Sequence, residues 1–230
     1  MTLIALPPTG RRLCLHELPS ELTAAAVAAY RPGMQVITPN FEAGRCLRNH
    51  LGSSVTVTTL TQWARLLLGR EGWQILKPYE MLSHLHSAID GLEWEYLGPL
   101  IDRQATLQHL LKLIGELQRA RITPAALWQV AATAREADLA RAHEAYQAHG
   151  LATGRYDANG AEYMAGNLPE LPARAVLIHG YAYLDQAQLH LLDRLLGAGS
   201  VVTLPLLPSS ARRNVQTRQA LLDYGFEVMP

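Results

Sequence analysis

Hydrophobic positions in this chain change their period twice. Near the N-terminus they form short β-type runs: Leu3-Ile4-Ala5-Leu6, Met34-Gln35-Val36-Ile37-Thr38 and Val55-Thr56-Val57-Thr58. Each is rich in apolar or β-branched residues and bounded by Pro, Gly, Asn or Ser, which predicts strands. Between the first two lies LPSELTAAAVAAY, an alanine-rich helical body with Ser20 as its expected N-cap. Between the second and third lies NFEAGRCLRNHL, where Phe41, Cys46, Leu47 and Leu51 are expected to share one helical face.

From about Leu60 to Ala165 the apolar residues recur only at three- and four-residue spacing. TQWARLLL, PYEMLSHLHSAI, TLQHLLKLIGELQRARI, PAALWQVAATA and EADLARAHEAYQAHG all read as helices, several opened by Thr61, Pro78, Thr106 or Pro124. No strand is expected in this region. The sheet pattern then returns with a strand at Ala175 to His179 and an amphipathic helix, DQAQLHLLDRLL, capped by Asp185 and closed by Gly197 and Gly199. A strand in SVVTLPLLP, a helix around Arg213 to Tyr224 and a last apolar segment at Phe226 to Val228 complete the pattern. The whole predicts an α/β fold, a parallel sheet with flanking helices, interrupted by an all-helical insertion. The expected division is 1–69 and 173–230 for the α/β core and 70–172 for the insertion. Ending on a nascent strand suggests one part of a longer protein.

Composition narrows the function classes. With 49% hydrophobic residues the chain can bury a large core, and its 20 basic and 20 acidic residues cancel. Any nucleic-acid contact therefore has to come from a local patch. Cys14 and Cys46 make neither a metal-ligand spacing nor a disulfide framework, which suits a reducing cytoplasm. No apolar run is long enough to span a bilayer, and Pro7 and Pro8 break the N-terminal run. A cytoplasmic protein with no membrane partner is expected.

Four stretches are candidates for chemistry. PPTGRR follows the first apolar run as a phosphate loop would, but it has one glycine, Gly10, and arginines 11 and 12 where lysine and a hydroxyl belong. Its prolines also lack N–H groups. ITPNFEAGRCLRNHL places Thr38 and Asn40 at a strand-to-helix junction, where helix N–H groups suit a phosphate; composition alone favours simple capping. From Met34 to Arg70, Arg45, Arg48, Arg65 and Arg70 stand against Glu42 alone, four minus one giving +3. VTVTTLTQWARLLL offers Thr59, Thr61 and Gln62 for phosphate contact and Trp63 for base stacking, against the plainer reading of a cap and a core tryptophan.

In VLIHGYAYLDQ, His179 and Gly180 stand where an NTPase carries its acidic pair for magnesium. His84 and His86 point to different sides of a helix, His143 and His149 do not pair, and HExxH, GxSxG and CxxC are absent. No metal or other cofactor is expected.

Taken in order, these fragments resemble the N-terminal part of AddB-type subunits of bacterial helicase–nucleases, whose N-terminal half is a UvrD-like superfamily 1 helicase fold without helicase activity. The resemblance rests on MQVITPNFEAGRCLRNHL, SSVTVTTLTQWARLLL, LKLIGELQRARITPAAL, READLARAHEAYQAHGLATGRYDANGAEYM and ARAVLIHGYAYLDQAQLHLLDRLLGAGSVVTLPL. It implies a P-loop NTPase, RecA-like core (helicase 1A-like) with a 1B-like helical insertion. It also implies DNA-facing roles for Thr38, Asn40, Arg45, Thr59, Thr61, Gln62 and Trp63, and a degenerate nucleotide site at Gly10, Arg11, Arg12, His179 and Gly180. PPTGRR and His179-Gly180 depart from the family pattern in the groups that hold a triphosphate. The implied role is therefore catalytically inert: weak single-stranded DNA binding in break processing and repair, or scaffolding of a partner helicase or nuclease subunit. The alternatives are a pure protein-interaction module, favoured by neutral charge, and last a small-molecule enzyme in the strand-end crevice. The whole helicase-scaffold reading requires Gly10 and His179 at the same end of adjoining parallel strands.

Overall fold

A computed structural model describes residues 10–208 and 210–229. In chain order its elements are β1 (Arg12–His16), α1 (Pro19–Ala29), β2 (Gln35–Ile37), α2 (Phe41–Leu51), β3 (Val57–Thr58), α3 (Leu60–Arg70), β4 (Gln74–Ile75) and α4 (Met81–Ile89). Then follow α5 (Gln104–Arg119), α6 (Pro124–Val130), α7 (Ala134–Thr153), β5 (Arg155–Tyr156), α8 (Ala161–Gly166), β6 (Val176–Ile178), α9 (Gln186–Leu195), β7 (Val201–Pro205), α10 (Arg212–Asp223) and β8 (Glu227–Met229). Two compact units result, one running through Trp63 and resuming at Gly166, the other covering Ala64–Ala165. These divisions fall several residues before those expected at 69/70 and 172/173.

The first unit is α/β. Its six strands lie in the order β3-β2-β6-β7-β1-β8, and every pairing is parallel. From β1 the chain steps toward the β3 edge through α1 and α2, and from β6 it steps back toward the β8 edge through α9 and α10. Right-handed crossovers taken in opposite directions put the two helix pairs on opposite faces. On one face Ala26, Ala29 and Leu47 pack over Val36, Leu177 and Val201. Val176, Ile178, Val202 and Leu204, all fully buried, alternate to the other face.

One sequence expectation is not covered by the structure and one is corrected. The first expected strand, Leu3–Leu6, lies outside the described residues; the strand that pairs β7 and β8 is RLCLH, Arg12–His16. The expected α1 cap, Ser20, sits inside the helix, which begins at Pro19. Proline at that position costs no hydrogen bond, because the first N–H groups of a helix have no intrahelical partner.

Arg11 closes the base of this unit. Its guanidinium donates to Asp193 Oδ1 at 3.0 Å and to the carbonyls of Asp193, Leu196 and Tyr224 at 3.1, 2.6 and 3.0 Å. It also lies 5.8 Å from the Phe226 ring centre. One side chain thus ties the start of β1 to the ends of α9 and α10.

The second unit is helical, built on Leu85, Ile89, Leu107, Leu110, Ile114, Ala142 and Tyr146 from α4, α5 and α7. The strand-free expectation fails in one place, because β4 and β5 pair in parallel as a two-residue ladder. Asp138, fully buried, accepts from the N–H groups of Glu95, Tyr96 and Leu97 and from Arg141. Burial alone would raise its carboxyl pKa, but those donors outweigh it and hold the group below its usual value. His143 is the opposite case: it is fully buried and neither ring nitrogen has a partner.

Arg11→Met should lower the unfolding free energy by about 1–3 kcal/mol, since it leaves three carbonyls without their donor, while the part-exposed Asp193 carboxylate is taken up by water. Arg12→Met should change it by less than about 0.5 kcal/mol; urea titration of both variants checks the contrast. Burial pushes the His143 pKa down from 6.5 to about 4, so the unfolded chain takes up its proton well before the folded one. The stability from neutral His143 is complete above pH 6.5 and is lost as pH falls toward 4, by about 1.4 kcal/mol per pH unit. His143→Leu should be more stable than wild type at pH 7, and its stability should fall less between pH 6.5 and 4.5.

Candidate functional site

All strands of the α/β unit being parallel, their exits share one edge. Crevices open on such an edge where neighbouring strands send their connections to opposite faces. That happens between β1 and β7 and again between β6 and β2. The loops concerned are Glu17–Leu18, Thr38–Asn40, His179–Tyr183 and the segment after Pro205, joined by Thr59 at the β3 exit.

At the β2 exit, Thr38 is buried and its hydroxyl donates to the Asn40 carbonyl at 3.0 Å. Asn40 Oδ1 accepts from Ala43 N–H at 2.9 Å, capping α2. The helix approaches the sheet so closely that a Cβ on Gly44 would lie 2.7 Å from Val57 Cγ1 and 3.0 Å from Thr38 Oγ1. Its buried face is therefore Gly44 and Leu47, with Leu51 packed beside them. Phe41, expected on that face, is 76% exposed, and Cys46 is exposed too.

At the β3 exit, Thr59 Oγ1 accepts from Gln62 N–H at 3.1 Å, and Thr58 donates to Gln62 Oε1 at 3.2 Å. Trp63 is buried and stacks with Arg174 instead of facing solvent. Thr61 is half-buried and Gln62 exposed. Of the arginines counted toward a patch, Arg65 and Arg70 belong to the second unit, which leaves Arg45 and Arg48 in the first. Arg45 is exposed, whereas Arg48 is half-buried.

At the β6 exit, His179 is half-buried with Nδ1 2.8 Å from Thr203 Oγ1. Thr203 Oγ1 also lies 3.4 Å from the Ile178 carbonyl, and the imidazole tautomer sets which of Nδ1 and Oγ1 donates in the shorter bond. Burial lowers the pKa of His179, and the ring is neutral at physiological pH. Its partner is a hydroxyl, not a carboxylate, so it has no charge to orient it as a general base. Gly180 takes φ +86° against Pro39, and Tyr181 donates to the Thr38 carbonyl at 3.1 Å, binding this loop to the β2 exit. Asp185 caps α9, as the sequence predicts, and does so in a reciprocal box with Gln188.

The pairing expected of Gly10 and His179 is not met. β1 runs from Arg12 to His16 parallel to β7, which is parallel to β6. Gly10 therefore precedes its strand while His179 follows its own, at opposite edges of the sheet, with β7 lying between the two strands. Arg11 and Arg12 stand with Gly10, and Arg11 is occupied by the contacts described above. The segment at the exit of β1 is Glu17-Leu18-Pro19-Ser20, which has no glycine and no cation.

Exposed apolar groups at this edge escape sequence reasoning. Leu18, Phe41, Tyr183 and Leu206 are 55%, 76%, 44% and 37% exposed, one from each of four strand exits. The signal available was position alone: each stands within a few residues of a strand end. Glu17, Glu21 and Glu42 are exposed around them. Arg213 lies 5.2 Å over the Tyr183 ring, and α10 has no side-chain cap.

Among the described residues no group of His, Cys, Asp and Glu is placed to hold a metal, and no helix is long and apolar enough to cross a membrane. The chain matches no protein-family model, and no curated protein is significantly similar to it.

Gly44→Ala should destabilise the α/β unit by about 1–3 kcal/mol in thermal or urea unfolding, because Val57 and the Thr38 hydroxyl leave no space for a methyl group. Calorimetric titration with ATP and magnesium should register no binding.

Proposed function

We propose that the chain is a catalytically inactive helicase-like module, with a RecA-like α/β core, of a DNA break-processing helicase–nuclease. Its sheet edge docks a partner helicase or nuclease subunit. One observation carries this reading: the N-termini of α2, α3 and α9 are filled by side-chain caps, while large apolar side chains stand exposed beside them. Of the helices following β2, β3, β6 and β7, α10 alone starts without such a cap. Asn40, Thr59 and Asp185 occupy the first turns of α2, α3 and α9. Proline at the start of α1 removes a further N–H. The Asp185 carboxylate would also repel a phosphate. Leu18, Phe41, Tyr183 and Leu206, rimmed by Glu17, Glu21 and Glu42, instead suit an apolar partner surface with basic residues at its margin. Support for the helicase-like core comes from the doubly wound parallel sheet and from the long insertion between β3 and β6; against it stand Gly10 and His179, at opposite ends of strands that do not adjoin.

A second reading, weak binding of single-stranded DNA, has its own observation. The first turn of α10 carries Arg212 and Arg213, the latter stacked on exposed Tyr183, and Phe41 and Arg45 are exposed on α2. These are the elements of a stacking platform with cations.

The Phe41→Asp/Tyr183→Asp double variant should retain wild-type stability within about 0.5 kcal/mol per site, because both side chains are exposed. It should lose co-purification with the helicase or nuclease subunit that the wild-type chain captures. Fluorescence anisotropy with a labelled oligothymidylate separates the readings. Binding that weakens steeply with salt and falls in Arg45→Glu and Arg213→Glu, with no capture of either subunit, would replace the docking proposal by the DNA one.

A further inference from the structure

The helical unit contains a small, partly open pocket with about 20 Å³ of space for a water-sized molecule, lined by His84, Gln118, Tyr146, Arg155, Asp157 and Gly160 among others. That volume suits one molecule the size of water. Tyr146 and Asp157, both about nineteen-twentieths buried, are already bonded to each other: the hydroxyl donates to Asp157 Oδ2 at 2.7 Å. Asp157 Oδ1 accepts from the N–H groups of Asn159 and Gly160 at 2.7 and 3.0 Å. Two other groups on the lining have no partner within the protein. Gln118 Oε1, on a side chain only 4% exposed, is an acceptor, and Arg155 Nε–H is a donor.

The charges decide what fits. Arg155 Nη2 donates to Glu80 Oε1 at 2.7 Å, and the Asp157 carboxylate is held by three donors, so both ionic groups are compensated. An anion would face Asp157 and a cation would face the guanidinium. A divalent cation would also need about six oxygen ligands, and no metal-binding cluster exists among the described residues. A neutral molecule that both donates and accepts meets the two unpartnered groups. Gly160 keeps the place open, because a Cβ there would lie 2.7 Å from Gln118 Oε1.

We propose that this cavity binds a single water molecule that accepts from Arg155 Nε–H and donates to Gln118 Oε1. The water joins the C-terminal turn of α5 to β5 and completes the hydrogen bonding of a buried network that the protein leaves two partners short. The site is independent of the sheet edge and of its proposed function.

A high-resolution crystal structure of the full chain, with water-oxygen magnetic relaxation dispersion in solution, tests the site. The wild type should show one ordered water between Gln118 and Arg155, and the dispersion should include its slow exchange. Gln118→Met keeps the side-chain length and removes the acceptor, and it should lose one long-lived water's amplitude. Gly160→Ala, which narrows the cavity, should lose the same amplitude and serves if the first variant does not fold. A dry cavity or an ion in the wild-type map would overturn the proposal. So would a dispersion amplitude unchanged in a folded variant.

Discussion

The α/β unit depends on the parallel ladder between Arg12–His16 and Val201–Pro205. It is the longest register in the sheet, and it joins residues from opposite ends of the described chain. Backbone hydrogen bonds across it fix the direction of β1 relative to β6 and β2, and direction decides which loops meet. A parallel strand cannot be reached by a tight turn, so each connection crosses a face of the sheet and the right-handed rule sends α1 and α2 to one side and α9 and α10 to the other. The crevices at the strand exits follow from that alone. Arg11 reinforces the same ladder from its opposite end by binding carbonyls at the ends of α9 and α10.

The same constraint settles where a nucleotide site would stand. It would lie at the exits of β1, β7 and β6, and those exits hold Glu17-Leu18-Pro19, Leu206 and His179. Neutral His179 bonded to a hydroxyl supplies neither a magnesium ligand set nor a charged base. Gly10 and its arginines lie at the other edge, so the glycine-bearing turn before β1 is structural. Its own φ of +60° and the 3.3 Å approach of Gly199 N to a would-be Cβ explain the glycine.

Much of this was legible in the sequence where a local rule had a single reading. Asp185 and Asn40 cap the helices they were expected to cap, because a short polar side chain after a strand has few other stable places. The helical segments between Leu60 and Ala165 were legible from their period. The first described strand was not, since RLCLH is short, begins with a cation and competes with the stronger apolar run at Leu3–Leu6. The β4–β5 ladder has two residues per strand, too few for any alternation to register. Phe41 was misplaced because apolar character was taken to mean burial, whereas the space beneath α2 is filled by the close approach at Gly44.

Trp63, Thr38 and Thr59 show why a residue list is a weak guide to a binding site. All are residue types that bind single strands, and all stand at strand exits. Yet the tryptophan is in the core, and the hydroxyls are engaged with Asn40 and Gln62. A polar group already bonded within the protein must give up that bond to gain one to a ligand, so the net gain is small. An exposed apolar group beside it faces no such exchange, because covering it releases water at no cost in hydrogen bonds. At this edge the arithmetic therefore favours a surface that covers Leu18, Phe41, Tyr183 and Leu206 over one that pulls on Thr38, Asn40 and Thr59.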